Sequence, residues 1–109
     1  MYVQIIEFEL QGLTRAEYEE FCVSAVPAIA EIPGVRGKLF LSDTDSSRCA
    51  GIYTFTDRAA AEEYLAGDLF QRAMATNPAI ANVRTRGSEL LQRPTRALDD
   101  ALLSAAAAR

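Results

Sequence analysis

A chain of 109 residues, half of them apolar and 24% charged, has the length and balance of one soluble globular domain with a modest core. Its net charge of −4 argues against nucleic acid or an anionic membrane as the partner, and no apolar run approaches the roughly 18 residues of a membrane span. It has no histidine, which removes the Ser-His-Asp and Cys-His nucleophile systems and, with only Cys22 and Cys49 as thiols, leaves no metal site to expect.

Tyr2 to Leu10 alternates, with Ile6, Phe8 and Leu10 on one face and Val3, Ile5, Glu7 and Glu9 on the other, so a first strand is expected there. The same N-terminal stretch has no basic region or cleavage site of a signal peptide, so a cytoplasmic location with reduced thiols is expected. Thr14 followed by Glu17 spells a capping box, and Tyr18, Phe21, Cys22, Ala25, Ile29 and Ile32 then recur at helical spacing. Pro27 falls inside that stripe and cannot donate to the Val23 carbonyl, which predicts a kink or a restart. Pro33-Gly34 closes the helix. A second strand follows, in which Val35, Gly37, Leu39 and Leu41 alternate with Arg36, Lys38, Phe40 and Ser42.

The polar run Asp43 to Arg48 has hairpin length. Asp43 and Asp45 are spaced like the start of a calcium loop, but the glycine and distal glutamate of such a loop are missing, so it reads as a turn. It leads to CAGIYTFTD, where Cys49, Gly51, Tyr53 and Phe55 point one way and Ala50, Ile52 and Thr54 the other. Both faces are largely apolar, as in a strand covered on two sides. Asp57 is the expected N-cap of a helix running to Gly67, and Leu69 to Ala75 forms a further short helix ended by Asn77-Pro78. A fourth strand is expected from Ile80 to Leu91, and Pro94-Thr95 then opens an alanine-rich helix with Leu98, Leu102 and Leu103 on one side.

The order strand, helix, strand, strand, helix, strand folds into a four-stranded antiparallel sheet with both main helices on one face, a ferredoxin-like α+β fold. If those helices cover Ile6, Phe8, Val35, Leu39, Ile52 and Thr54, the uncovered face carries Ile5, Glu7, Arg36, Lys38, Phe40, Tyr53, Phe55, Arg84 and Arg86. A monomer would expose an aromatic patch there. Two such sheets packed face to face make a homodimer around a part-apolar, part-basic chamber. Residues 1–94 then form the sheet domain and 95–109 a C-terminal helix that packs on the barrel or on the partner subunit.

The segments PAIAEIPGVRGKLFLSD and AGIYTFTDRAAAEEYL resemble those of the YdhR-like monooxygenases, within the antibiotic biosynthesis monooxygenase group of dimeric α+β barrels. The marks are Pro27 in the helix, the Pro33-Gly34 turn, Lys38, the Gly51-Ile52-Tyr53 run to Asp57, and Tyr64-Leu65. The likeness runs from about Val3 to Pro94. It departs from the group in having no histidine on the first strand and no tryptophan in the cavity. It implies the dimeric barrel, and an activity among cofactor-free oxygenation of phenolic polyketides, haem degradation and polyketide cyclisation.

Cofactor-free oxygenation needs a substrate that gives an electron to oxygen as its phenolate or enolate, so the protein must favour the anion and exclude water. Arg36, Lys38, Arg84 or Arg86 can stabilise that anion, Tyr53 can hydrogen-bond its oxygen, and Glu7 is the strand carboxylate placed to take a proton. Glu7, Tyr53 and Arg86 are therefore the expected catalytic residues, with Arg36, Lys38, Phe40, Phe55 and Arg84 binding a small aromatic or polyketide-like molecule and no cofactor. For each charge the alternative is a cross-dimer ion pair or plain solvation, and for Tyr53 and Phe55 it is core packing. A cyclase or isomerase, or a non-catalytic metabolite-binding dimer, would use the same chamber. Cys22 reads as packing and Cys49 as a thiol within reach at a strand start, neither with a histidine to activate it.

Overall fold

The computed structural model describes residues 1–107. Four strands, β1 (Tyr2–Leu10), β2 (Val35–Ser42), β3 (Arg48–Phe55) and β4 (Ile80–Glu89), pair antiparallel in the order β2-β3-β1-β4. Each of the two helical crossovers therefore skips one strand, which is the split βαβ arrangement of the ferredoxin-like fold. Among the described residues, no helix is long and apolar enough to cross a membrane.

Helix α1 (Arg15–Ala30) opens on the expected capping box. The Glu17 N–H donates to the Thr14 hydroxyl at 3.1 Å, and the Thr14 N–H donates to the Glu17 carboxylate at 3.0 Å. Of the kink or restart expected at Pro27, the restart does not occur, and the helix runs through it to Ala30. Val23, whose carbonyl loses its partner to Pro27, lies on the exposed side at 64%, where water can take the bond. Gly34 turns the chain with φ 81°, and a Cβ there would fall 2.6 Å from that of Ala60. The turn and the seating of α2 (Arg58–Ala66) both depend on that glycine. Asp57 caps α2 by accepting from the Ala60 N–H at 2.8 Å. The short α3 (Asp68–Phe70) continues into a π-helical turn over Gln71–Ala75.

Strand register decides which residues the helices cover. Tyr53 pairs with Gln4 and Phe55 with Tyr2, and directly opposite residues share a sheet face. Tyr53 and Phe55 therefore stand with Tyr2, Ile6 and Phe8 beneath the helices, with Phe55 wholly buried. This reverses the expected placement: Ile52, Thr54 and Leu39 lie on the uncovered face beside Ile5 and Glu7. The physical reason is area, because covering two large aromatic side chains removes more apolar surface from water than covering Ile52 and Thr54. A bulge between Val35 and Gly37 inserts Arg36 and changes the phase of β2. Val35 and Lys38 thus share the helix face. A second irregularity lies on β4 near Asn82, whose φ is 55°.

Helix α4 (Gln92–Ala107) starts two residues before Pro94 and buries none of its residues. Leu98, Leu102 and Leu103 are 59%, 59% and 70% exposed, so the helix buries none of them against the chain's own sheet. The last two positions of the 95–109 segment, 108 and 109, lie outside the described residues.

Candidate active site

Tyr18 and Ile29 pack against the core, but no residue of α1 is fully buried. The gap beneath it is a cavity of about 200 Å³. Tyr18, Phe21 and Cys22 line it from α1, Lys38, Phe40 and Tyr53 from the sheet, and Tyr64, Leu69 and Met74 from the second crossover. Edge-to-face packing of Tyr18 on Phe8, with ring centroids 5.6 Å apart, holds one wall. The stacked Tyr53 and Phe55 rings, with Tyr64 tilted against both, hold the other.

At the centre of this apolar space lies a short polar chain. The Lys38 ammonium donates to the Tyr53 hydroxyl at 2.7 Å, and that hydroxyl lies 3.1 Å from the hydroxyl of Tyr64. The Nζ also sits 4.3 Å from the centre of the Phe40 ring and 4.4 Å from that of Tyr53, so two ring faces replace part of its hydration. Gly51 makes this possible, because a Cβ there would come within 3.0 Å of Lys38 Cε and 3.2 Å of the Tyr53 ring.

No carboxylate borders the cavity, and among the described residues Lys38 has no ion-pair partner within 4.0 Å. Burial is the main reason its pKa falls from 10.5 to about 8. Burial likewise pushes the Tyr53 and Tyr18 hydroxyls well above the ordinary phenol range and raises that of Tyr64. All three stay protonated at neutral pH and can donate to a bound anion.

The opposite sheet face holds a second set of predicted residues. Arg86 lies 3.4 Å from Glu7, both partly exposed, and Glu7 is paired with Arg84 across the strands. The groove they line with Ile5, Leu41 and Ile52 is a broad open trough.

The predicted site therefore divides. Tyr53, Lys38 and Phe40 meet in the cavity; Glu7, Arg84 and Arg86 lie on the far side of the sheet; Arg36 is exposed on the β2 bulge. Phe55 supports the Tyr53 ring from behind at 5.8 Å but does not line the cavity. Cys49, expected within reach, is buried and donates to Ser42 at 3.6 Å, and burial pushes its thiol pKa up. Tyr18 and Cys22, expected in a packed helix stripe, and Tyr64, expected only as a mark of the family resemblance, are cavity residues. The signal for Tyr18 and Cys22 was present in the stripe of α1, but nothing in a stripe says whether it seals against a sheet or roofs a space; Tyr64 stands on α2 with no such signal.

The sequence matches, over residues 3–101, the family described as "Putative mono-oxygenase ydhR". Among solved structures the fold is shared with SnoaB, a cofactor-independent oxygenase from Streptomyces nogalater. That likeness has 22% identity and a TM-score of 0.65, over 84% of this chain and 93% of that one. It is shared with the haem degrader MhuD from Mycobacterium tuberculosis, at 17% identity and a TM-score of 0.65, over 84% and 96%. NE2512 from Nitrosomonas europaea, a protein of unknown function, shares it at 21% identity and a TM-score of 0.67, over 83% and 88%. No curated protein matches the sequence.

Proposed function

The chain belongs to the ydhR mono-oxygenase family, and from that premise we propose that it is a cofactor-independent monooxygenase that holds a small aromatic or polyketide-like molecule in the cavity under α1. The observation that carries this reading is the Lys38–Tyr53–Tyr64 chain in a cavity without a carboxylate. An unpaired ammonium between aromatic rings favours a ligand that arrives as, or becomes, a phenolate or enolate. One of the Tyr53 and Tyr64 hydroxyls donates to the other, leaving the second free to donate to the same oxygen, and the apolar walls keep water from competing. The bound anion gives one electron to oxygen, the substrate radical and superoxide combine to a peroxide anion, this takes a proton from the Lys38 ammonium, and the hydroperoxide, whose carbon keeps a hydrogen, loses water to leave a carbonyl. A haem of the kind MhuD holds would find no histidine for its iron anywhere in this chain, so no step of this reading runs through haem.

The proposal includes a homodimer formed through the open sheet face, where Leu39 and Leu41 are 62% and 46% exposed. Glu7, Arg84 and Arg86 then serve the interface. Two free thiols fit a reducing, cytoplasmic setting. The test is oxygen uptake by purified protein with anthrone and quinol substrates and no added metal or cofactor, where uptake in step with product is expected. Product without oxygen consumption would overturn the oxygenase in favour of a cyclase or isomerase. Binding without any product would leave a metabolite-binding dimer.

A further inference from the structure

We propose that Lys38 is also a nucleophile, condensing with small hydrophobic aldehydes and ketones to form an imine inside the cavity. Of the eleven basic side chains, Lys38 is the only lysine. That distinction is chemical, since a guanidinium does not give up its proton near neutral pH whereas an ammonium in an apolar setting does. The single side-chain amine of the chain is also the basic group that the fold has placed under α1 between two aromatic faces, with no acid to hold its proton.

The groups facing it are the hydroxyls of Tyr53 on β3 and Tyr64 on α2, and Tyr18 and Cys22 on α1. Burial lowers its pKa to about 8 and the Cys22 thiol opposes that shift. At pH 7 about one amine in eleven is then neutral, roughly 300 times the fraction of a solvated lysine.

The same geometry supplies the acid that imine formation needs. The neutral amine adds to the carbonyl carbon, forming a C–N bond, while the carbonyl oxygen takes the Tyr53 proton. The new ammonium centre returns a proton to the Tyr53 oxygen. The carbinolamine then loses its hydroxyl with a second proton as water, leaving C=N. Amine plus carbonyl gives imine plus water, with no oxidant or reductant. Phe21, Phe40 and Met74 provide the apolar wall for the carbonyl compound's body. This activity uses the cavity of the oxygenase reading but needs no oxygen.

The experiment is anaerobic incubation of the full chain with benzaldehyde and sodium cyanoborohydride across pH 6–10, followed by intact mass and peptide mapping. One benzyl group on Lys38, acquired with a midpoint near pH 8, is expected. The only competing amine is that of Met1. Labelling confined to Met1, or a Lys38 midpoint near that of a solvated lysine, overturns the proposal. Tyr53→Phe, checked for folding by circular dichroism, should slow labelling of Lys38 at least tenfold without slowing that of Met1. An equal effect on both amines would remove Tyr53 as the acid. Lys38 trapping without oxygen uptake on any quinol would sink the oxygenase and leave the nucleophile, and the reverse result would do the opposite.

Discussion

Replacing Lys38 with methionine removes a cation that the fold holds against its own solvation, so the variant is expected to be more stable than the wild type and inactive. The unfolded chain keeps the Lys38 proton up to its ordinary pKa of 10.5, and the folded chain only up to about 8. Between those values the unfolded state binds more protons, so wild-type stability rises with pH through that window, and the full penalty applies below pH 8. At 1.36 kcal/mol per unit, the shift of 2.5 units corresponds to about 3 kcal/mol. Methionine fills the volume of the stem, and loss of the hydrogen bond to Tyr53 returns about 1 kcal/mol, because Tyr64 remains as its partner. A net gain of about 2 kcal/mol at pH 7 is expected. Urea unfolding at fixed protein concentration would measure it. Between pH 7 and 9 the wild type should gain about 1.4 kcal/mol relative to Lys38→Met, the buried Cys49 thiol acting alike in both. Over the same range the buried tyrosines add little, because even the unfolded phenol, at 10.0, lies above it and burial raises the folded values further. A variant no more stable than the wild type at pH 7, with a parallel pH dependence, would refute the buried unpaired cation.

Other positions test the rest of the site. Gly51→Ala places a methyl against Lys38 Cε and the Tyr53 ring, so turnover should fall at least tenfold while the melting temperature moves by only a few degrees. A loss of stability matching the loss of turnover would make the glycine merely structural. Glu7→Gln separates the two sheet faces: oxygen uptake within about twofold of wild type is expected, and a tenfold loss would move the chemistry to the Glu7–Arg86 face. Because α4 buries nothing, a chain ending at Leu91 should keep the circular dichroism of its sheet. Sedimentation of that shortened chain as a monomer, when the full chain is a dimer, would show that the exposed leucines reach the partner subunit.

Element type and order were legible in the amino-acid sequence, and the reasons are local. Thr14 with Glu17 starts α1, Asp57 starts α2, Gly34 turns the chain, and period-two alternation marks β1 and β3. The split βαβ order then follows from short right-handed crossovers. Alternation also correctly sorted β3 into a Tyr53–Phe55 side and an Ile52–Thr54 side. It carries no information about which side meets a helix, because two apolar faces look alike until strands pair. Pairing of Tyr53 with Gln4 and of Lys38 with Tyr53 made that decision.

The bulge at Arg36 is equally silent in sequence, yet it brings Val35 and Lys38 to one face. The cavity depends on the distance at which α1 rides above the sheet, a property of long-range packing that a helical stripe does not encode. Local chemistry thus determined the elements, the fold class and the residue types available for anion binding. Only tertiary structure gathered Lys38, Tyr53 and Tyr64 under α1 and sent Glu7, Arg84 and Arg86 to the opposite face, because a one-residue change of phase exchanges the two faces of a strand.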